Sequence, residues 1–195
     1  MFRPDLSGRR EGIITVGRFS DARKNLPLLL RAYAQLIKSV PNAPELRVVG
    51  DVLPDAYSLV TQLGIDGRVR FFGSISDLEL AHLYRTSQLY VLPSDEEGLS
   101  NVIQEAMASG LPVVAVGAGG LLDLVDSSRT GWLYPPGDLR ALRSHVVDLA
   151  GDKWKRHAMG AAAHDKVRAR TWPVVCDRLL RHYDEAASSV VVGGS

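Results

Sequence analysis

Residues 91–116 read VLPSDEEGLSNVIQEAMASGLPVVAV, and this stretch decides the fold. A short apolar run ending at Leu92 gives way to an acidic turn, a glycine and a helical pattern. Gly110 and Pro112 stop the helix, and a second apolar run follows at 113–116. Short apolar runs bounded by turn residues suit strands buried on both faces, the strands of parallel sheets. Glycine reaches the left-handed conformation that ends a helix, and proline cannot continue the ladder. Two carboxylates bracket the helix start: Glu97 lies in the turn and Glu105 inside the helix. Eight fully helical steps between them would span about 12 Å at ~1.5 Å per residue. Between the acids, the amides around Gly98, Leu99, Ser100 and Asn101 open the helix, where unpaired donors and the helix dipole favour an anion. The strip suits a ligand with hydroxyls at both ends and phosphates in its middle.

The same alternation runs outward in both directions. Apolar runs at 12–17, 46–49, 69–72 and 89–92 read as further buried strands. Helical patterns connect them. The segment 26–39 carries Leu29, Leu30, Tyr33, Leu36 and Ile37 on one stripe, with Asn25 as N-cap and Pro27 in the tolerated first turn. Others cover 77–86 and 100–109, one runs from an Asp138 cap through residue 150, and two more lie near 154–170 and 173–187. Strand-helix alternation with right-handed crossovers gives an α/β fold, a doubly wound Rossmann-like parallel sheet with helices at the end of the chain. One domain over 1–187 and a tail at 188–195 without a packing signal are expected. Ligands of such sheets bind beyond the carboxyl ends of the strands. The loops there carry Gly17, Arg18 and Lys24, then Gly73, then Glu97, then the glycine-rich 117–120.

Composition narrows the partners. A chain of 195 residues is about one domain, and 46% apolar with 23% charged residues is ordinary for a globular protein. A net charge of +1 lacks the basic excess of a nucleic-acid-binding domain. The one cysteine, Cys176, excludes an intrachain disulfide, suits a reducing compartment and reads as a small core residue. No apolar run approaches about 18 residues, and the first four residues do not begin a signal peptide. A cytoplasmic location is expected, and membrane contact stays open. The five histidines are scattered without ligand spacing and no Asp-x-Asp pair occurs, so no metal is assigned.

Arg18 and Lys24 on one strand-to-helix loop suit a diphosphate clamp, arginine as a fork and lysine as a point charge; equally, they are two exposed loop charges. The glycines at 117–120 suit a close approach to a ligand or an ordinary tight turn. A resemblance adds to this. The run EGLSNVIQEAMASGLPVVA at 97–115 resembles the E-x7-E signature of family-four retaining glycosyltransferases, two-domain enzymes of the GT-B fold. It extends from Val16 to Tyr183 and covers only the C-terminal, nucleotide-sugar-binding half of such enzymes. The resemblance implies a UDP-, GDP- or ADP-sugar as donor substrate, with no cofactor required and metal-independent chemistry. Gly17, Arg18, Lys24 and Asn25 match the pattern that holds the donor's phosphates. Glu97 is then expected to bind hydroxyls of the transferred sugar, Glu105 the ribose, and the backbone at Gly73, Ser74 and Ile75 the base. Arg18, Lys24 and Glu97 carry the catalytic assignment; Gly98, Leu99, Ser100 and Asn101 complete the donor-binding set. Two departures stand out. Many family members have a second glycine where Ser100 stands, and its β-carbon is expected to narrow the approach of the sugar. The glycine loop continues with Leu121, Leu122 and Asp123 instead of a glutamate after two residues, and Asp123 reads as structural.

Three functions fit. The first is the donor domain of a retaining glycosyltransferase, with 2–4 as the linker from an absent N-terminal acceptor domain in the same or a separate chain; alone, it would transfer little or no sugar. The second is a non-catalytic nucleotide-sugar-binding module or one half of a split two-chain enzyme. The third is a nucleotide-dependent enzyme of another class, a sugar-nucleotide epimerase or a dehydrogenase. The dehydrogenase fits worst, because no G-x-G-x-x-G opens a helix after the first strand.

Overall fold

A computed structural model describes residues 2–4, 10–40, 42–98, 100–168 and 180–181. Six strands form one sheet: β1 (Ile13–Val16), β2 (Leu46–Val49), β3 (Val69–Gly73), β4 (Leu89–Leu92), β5 (Val113–Val116) and β6 (Gly131–Tyr134). Their order is β3-β2-β1-β4-β5-β6, and every pairing is parallel. The helices are α1 (Leu26–Ser39), α2 (Pro54–Gln62), α3 (Asp77–Thr86), α4 (Asn101–Ala108), α5 (Leu121–Leu124), α6 (Leu139–Gly151) and α7 (Lys153–Arg168). The doubly wound Rossmann-like sheet expected from the sequence is the sheet observed.

Every residue of β1, β4 and β5 is buried, which is why their sequences, IITV, LYVL and VVAV, carry no polar alternation. The edge strand β3 is only half-buried, and it covers its exposed face by laying the Arg70 guanidinium over the Phe72 ring at 4.9 Å. Helix α1 starts where the sequence places it. The Asn25 side chain accepts from the Leu28 N–H, Pro27 occupies the first turn, and Leu29, Leu30, Tyr33 and Leu36 are buried. Asp138 caps α6 by accepting from the Ala141 N–H at 2.9 Å. Helix α1 packs on α6, and α4 on α7.

Three elements are absent from the sequence reading, and a fourth has other bounds. Strand β6 is hidden behind Gly131, which reads as a turn residue but is required by packing: a β-carbon there would collide with the Val113 carbonyl oxygen of the neighbouring strand. Helix α2 buries only Ala56 and Val60, and its first residue is a proline, so its stripe is weak. Helix α5 is a single four-residue turn. Strand β1 is a residue shorter at each end than 12–17, because the backbone has left the strand at Gly12 and Gly17. The helix read at 173–187, the tail at 188–195 and Cys176 lie outside the described residues.

Gly160 lets α7 close on the turn that follows α4, since a β-carbon at this position would collide with the Gly110 carbonyl oxygen. Alanine is the better helix former by ~1 kcal/mol, but overpacking costs about 1–3 kcal/mol. Gly160→Ala is therefore expected to lower the denaturant midpoint. An unchanged or raised midpoint would contradict this seating of α7.

Candidate functional site

Strands β1 and β4 are neighbours in the sheet, yet β1 leads on toward β2 and β4 toward β5. The loops after them separate, and a crevice opens between residues 17–25 and 93–100 at the topological switch point. The first loop is held from below: the Gly17 N–H donates to Val49 O at 3.0 Å and the Phe19 N–H to Asp51 O at 2.7 Å. A 3-10 turn, Ala22–Lys24, is N-capped by Asp21 and ends at Asn25 in the left-handed conformation, φ 41°. Three consecutive residues of this loop then bond the second. Arg23 O accepts from the Asp95 N–H at 2.9 Å. Lys24 Nζ donates to Glu97 Oε2 at 2.6 Å, and Asn25 Nδ2 to Asp95 Oδ1 at 2.8 Å.

The crevice has a volume of about 590 Å³, and Arg18, Lys24, Glu96, Glu97, Gly98 and Gly119 are among its walls. That is the size of a small-ligand site, ~300–1,000 Å³. Its charges are largely matched in advance. Arg23 lies 2.7 Å from Asp21, and this bond lowers the Asp21 carboxyl to a pKa of about 2. Lys24 and Glu97 form a mostly buried pair, 23% and 13% exposed. Arg18 is exposed; its carbonyl accepts from the Asp21 N–H at 3.1 Å, but its side chain has no hydrogen-bond or ion-pair partner among the described residues. Among the described residues Lys24 already answers Glu97 while the Arg18 side chain is left uncompensated, so a two-cation clamp on a diphosphate requires Lys24 to leave that pair.

Helix α4 begins at Asn101, three residues after Gly98, which lines this crevice. Ser100 occupies the N-cap position but makes no capping bond, and its hydroxyl is buried without a partner, as is that of Ser94. Among the described residues the first-turn amides of α4 thus have no side-chain acceptor, the condition for attracting an anion. Ser100 is 3% exposed. Its side chain lies under the surface, and Ser100 is not among the residues lining the crevice. Gly98 is exposed, with nothing within 4 Å of a β-carbon placed there. Asn101 is exposed, and Leu99 lies outside the described residues.

Gly119 resolves the question of the glycine loop. Its φ is +58°, and a β-carbon there would collide with the Glu97 carbonyl oxygen. The glycine is required by the backbone that carries Glu97. Asp123 is exposed and is not among the residues lining the crevice.

The remaining candidates stand apart. Glu105 is half-buried one turn into α4 and does not line the crevice. Tyr84, on α3, reaches its Oε2 at 3.4 Å. Only the steps from Asn101 to Glu105 are helical, about 6 Å of rise, so the eight helical steps assumed between the two acids are not what the chain adopts. Gly73 has φ +61° and its carbonyl accepts from the Gly50 N–H at 2.8 Å. Ser74 Oγ donates to Asp51 Oδ1 at 3.3 Å, and Ile75 packs half-buried against the core. Gly73 ends β3 and Ser74 and Ile75 follow it, two strands away from β1 on the same sheet edge. The structure brings together Arg18, Lys24, Glu97 and Gly98, and sets Glu105 and residues 73–75 outside that crevice. The sequence reading missed Asp21, Arg23, Asp95 and Glu96, whose roles depend on which loops face each other. Among the described residues, no group of three or more His, Cys, Asp or Glu side chains could hold a metal ion, and no helix is long and apolar enough to cross a membrane.

Comparison with known proteins places this geometry. Residues 10–152 match the family described as Glycosyl transferases group 1. A GDP-mannose-dependent alpha-mannosyltransferase of Corynebacterium glutamicum is 31% identical over 183 residues, covering 92% of this chain and 41% of the relative. The C-terminal domain of a group 1 family glycosyl transferase from Francisella tularensis superposes with a TM-score of 0.77 at 24% identity, over 86% of this chain and 94% of that domain. Anabaena HepE in complex with UDP superposes at 0.75 with 26% identity, over 93% of this chain and 49% of that one. The chain spans less than half the length of the curated relatives it matches.

Two outcomes follow from the geometry. Gly119→Ala should destabilise the chain by about 1–3 kcal/mol through overpacking against the Glu97 backbone; a wild-type denaturant midpoint would contradict that contact. Burial holds the Glu105 carboxyl above its usual range, and the Tyr84 hydroxyl bond lowers it only in part. The folded chain binds this proton more tightly than the unfolded one, so stability falls as pH rises above the ordinary carboxylate range. Glu105→Gln keeps an acceptor for Tyr84 and removes the penalty. The variant's ligand-free melting temperature should exceed wild type at pH 7, with the difference closing toward pH ~4; a lower or pH-independent value would contradict it.

Proposed function

The chain belongs to the glycosyl transferases group 1 family, and from that membership we propose that it is the donor-binding domain of a retaining glycosyltransferase, gripping a nucleoside diphosphate-sugar in the crevice between β1 and β4. The observation that carries this reading is the Lys24–Glu97 pair set against an uncapped α4 amino terminus, with Arg18 free at the rim. The diphosphate lies between Arg18 and the first turn of α4, and Lys24 turns to it from Glu97. The glutamate, released, accepts from hydroxyls of the sugar. Glu105 takes the ribose and the 73–75 backbone the base, along the same sheet edge.

As the anomeric bond breaks, negative charge develops on the leaving phosphate. Arg18, Lys24 and the α4 amides are already in place to meet it, and preorganised donors of this kind are each worth about a hundred- to a thousand-fold in rate. Released from Lys24, the Glu97 carboxylate is engaged by the sugar hydroxyls, so Glu97 is assigned to orienting the sugar and no covalent intermediate on it is invoked. The acceptor pocket belongs to a further domain, in the same or a separate chain, and this chain alone binds donor without transferring it. The mannosyltransferase relatives put GDP-mannose first among donors to test; the complex of HepE with UDP keeps UDP-sugars in the panel.

Calorimetry with GDP, UDP and ADP and their sugar conjugates tests the reading. One nucleoside diphosphate should bind, and at 100 times its Kd should stabilise the fold by about 2.7 kcal/mol. Arg18→Ala should weaken that binding about tenfold or more, the loss of a charge-assisted bond. Glu97→Gln releases Lys24 and should tighten the free diphosphate while weakening the added contribution of the sugar. No binding by any of the three nucleotides, or a Glu97→Gln variant that loses diphosphate affinity, would overturn the assignment.

A further inference from the structure

We propose that Asn25 and Asp95 are positioning residues that align Glu97 for the sugar end of the donor, an inference that rests on the donor-binding reading. Glu97 sits on a loop with little of its own to fix it: Glu96 and Gly98 are exposed, and Gly98 has no neighbour within 4 Å of a β-carbon position. Apart from the Gly119 backbone packed against Glu97 O, what holds the loop comes from residues 23–25 across the crevice. The Asp95 N–H is bonded to Arg23 O, and the Asp95 carboxylate to Asn25 Nδ2. Two residues later the Glu97 carboxylate meets Lys24, the residue between those two partners. The two loops are therefore stitched in one register, and the stitch determines where the Glu97 carboxylate stands.

Asn25 is the informative member. It has φ 41°, and Ser128 is the only other non-glycine residue with positive φ among those described. Glycine would adopt this conformation at less cost. The asparagine side chain is explained by the two bonds it makes, Oδ1 accepting from the Leu28 N–H at 3.3 Å and Nδ2 donating to Asp95. One side chain thus fixes the start of α1 and ties it to the acidic loop. Neither Asn25 nor Asp95 contributes to the Lys24–Glu97 pair itself; both act through it.

The test compares, on the full chain, affinities for GDP, UDP and ADP with those for GDP-mannose, UDP-glucose and ADP-glucose. Asn25→Gly preserves the left-handed backbone and removes both bonds. Asp95→Ala removes the acceptor, and Asp95→Asn keeps an acceptor oxygen. Asn25→Gly and Asp95→Ala should each cut the preference for the nucleotide-sugar over its nucleotide by about fivefold or more, ~1 kcal/mol, the nucleotide-sugar losing more affinity than the nucleotide. Asp95→Asn should restore the preference. An unchanged preference, an equal loss for nucleotide and nucleotide-sugar, or an Asp95→Asn variant as damaged as Asp95→Ala would overturn the inference. Amide exchange at residues 94–98 in the ligand-free chain separates its failure from that of the donor reading. Exchange there should speed up in Asn25→Gly; wild-type exchange overturns the stitch while leaving donor binding intact. Wild-type protein that binds no nucleotide overturns both.

Discussion

The adjacency of β1 and β4 is the constraint on which the rest depends. Only because these strands lie side by side while their chains depart in opposite directions can Lys24, after one, reach Glu97, after the other. The pair is mostly buried, and buried ion pairs are poor devices for stability, since desolvation offsets most of their attraction. An apolar pair would serve the fold as well. Two opposite charges kept at a crevice make sense where each can exchange its partner for a ligand group of the same chemistry, phosphate for the lysine and hydroxyls for the glutamate.

Under that pair the sheet supplies a rigid floor. The Tyr90 hydroxyl donates to Val16 O at 3.2 Å and the Tyr134 hydroxyl to Leu92 O at 3.1 Å, so the carbonyls that end β1 and β4 are satisfied by buried side chains. Burial, and then the charge of Glu97, keep the Tyr90 hydroxyl protonated far above neutral pH. Glycines permit the close approaches around the rim: Gly50 stands against Gly17 O and Gly119 against Glu97 O, and both have positive φ. The walls of the site are thus fixed by backbone contacts that leave no room for a side chain.

How much of this the sequence disclosed follows from the range of each interaction. Buried parallel strands and amphipathic helices announce themselves over a few consecutive residues, so five strands and helix α1 were legible. Strand β6 was not, because Gly131 is demanded by a neighbour in the sheet, Val113, and resembles a turn locally. Arg18, Lys24, Glu97 and Gly98 were found together since the loops after parallel strands share one edge. Their pairing was not, because Lys24 and Glu97 are 73 residues apart and meet only once the strand order is known. The same holds for Asn25 with Asp95, and for the inward turn of Ser100, which no local pattern specifies.

The most direct test of the central claim is a crystal structure of the chain with a bound nucleoside diphosphate-sugar. The phosphates should lie between Arg18 and the first turn of α4, with Lys24 turned onto them and the Glu97 carboxylate on the sugar hydroxyls. Phosphates seated outside the crevice between residues 17–25 and 93–100, with the Lys24–Glu97 pair intact beneath an empty site, would contradict it.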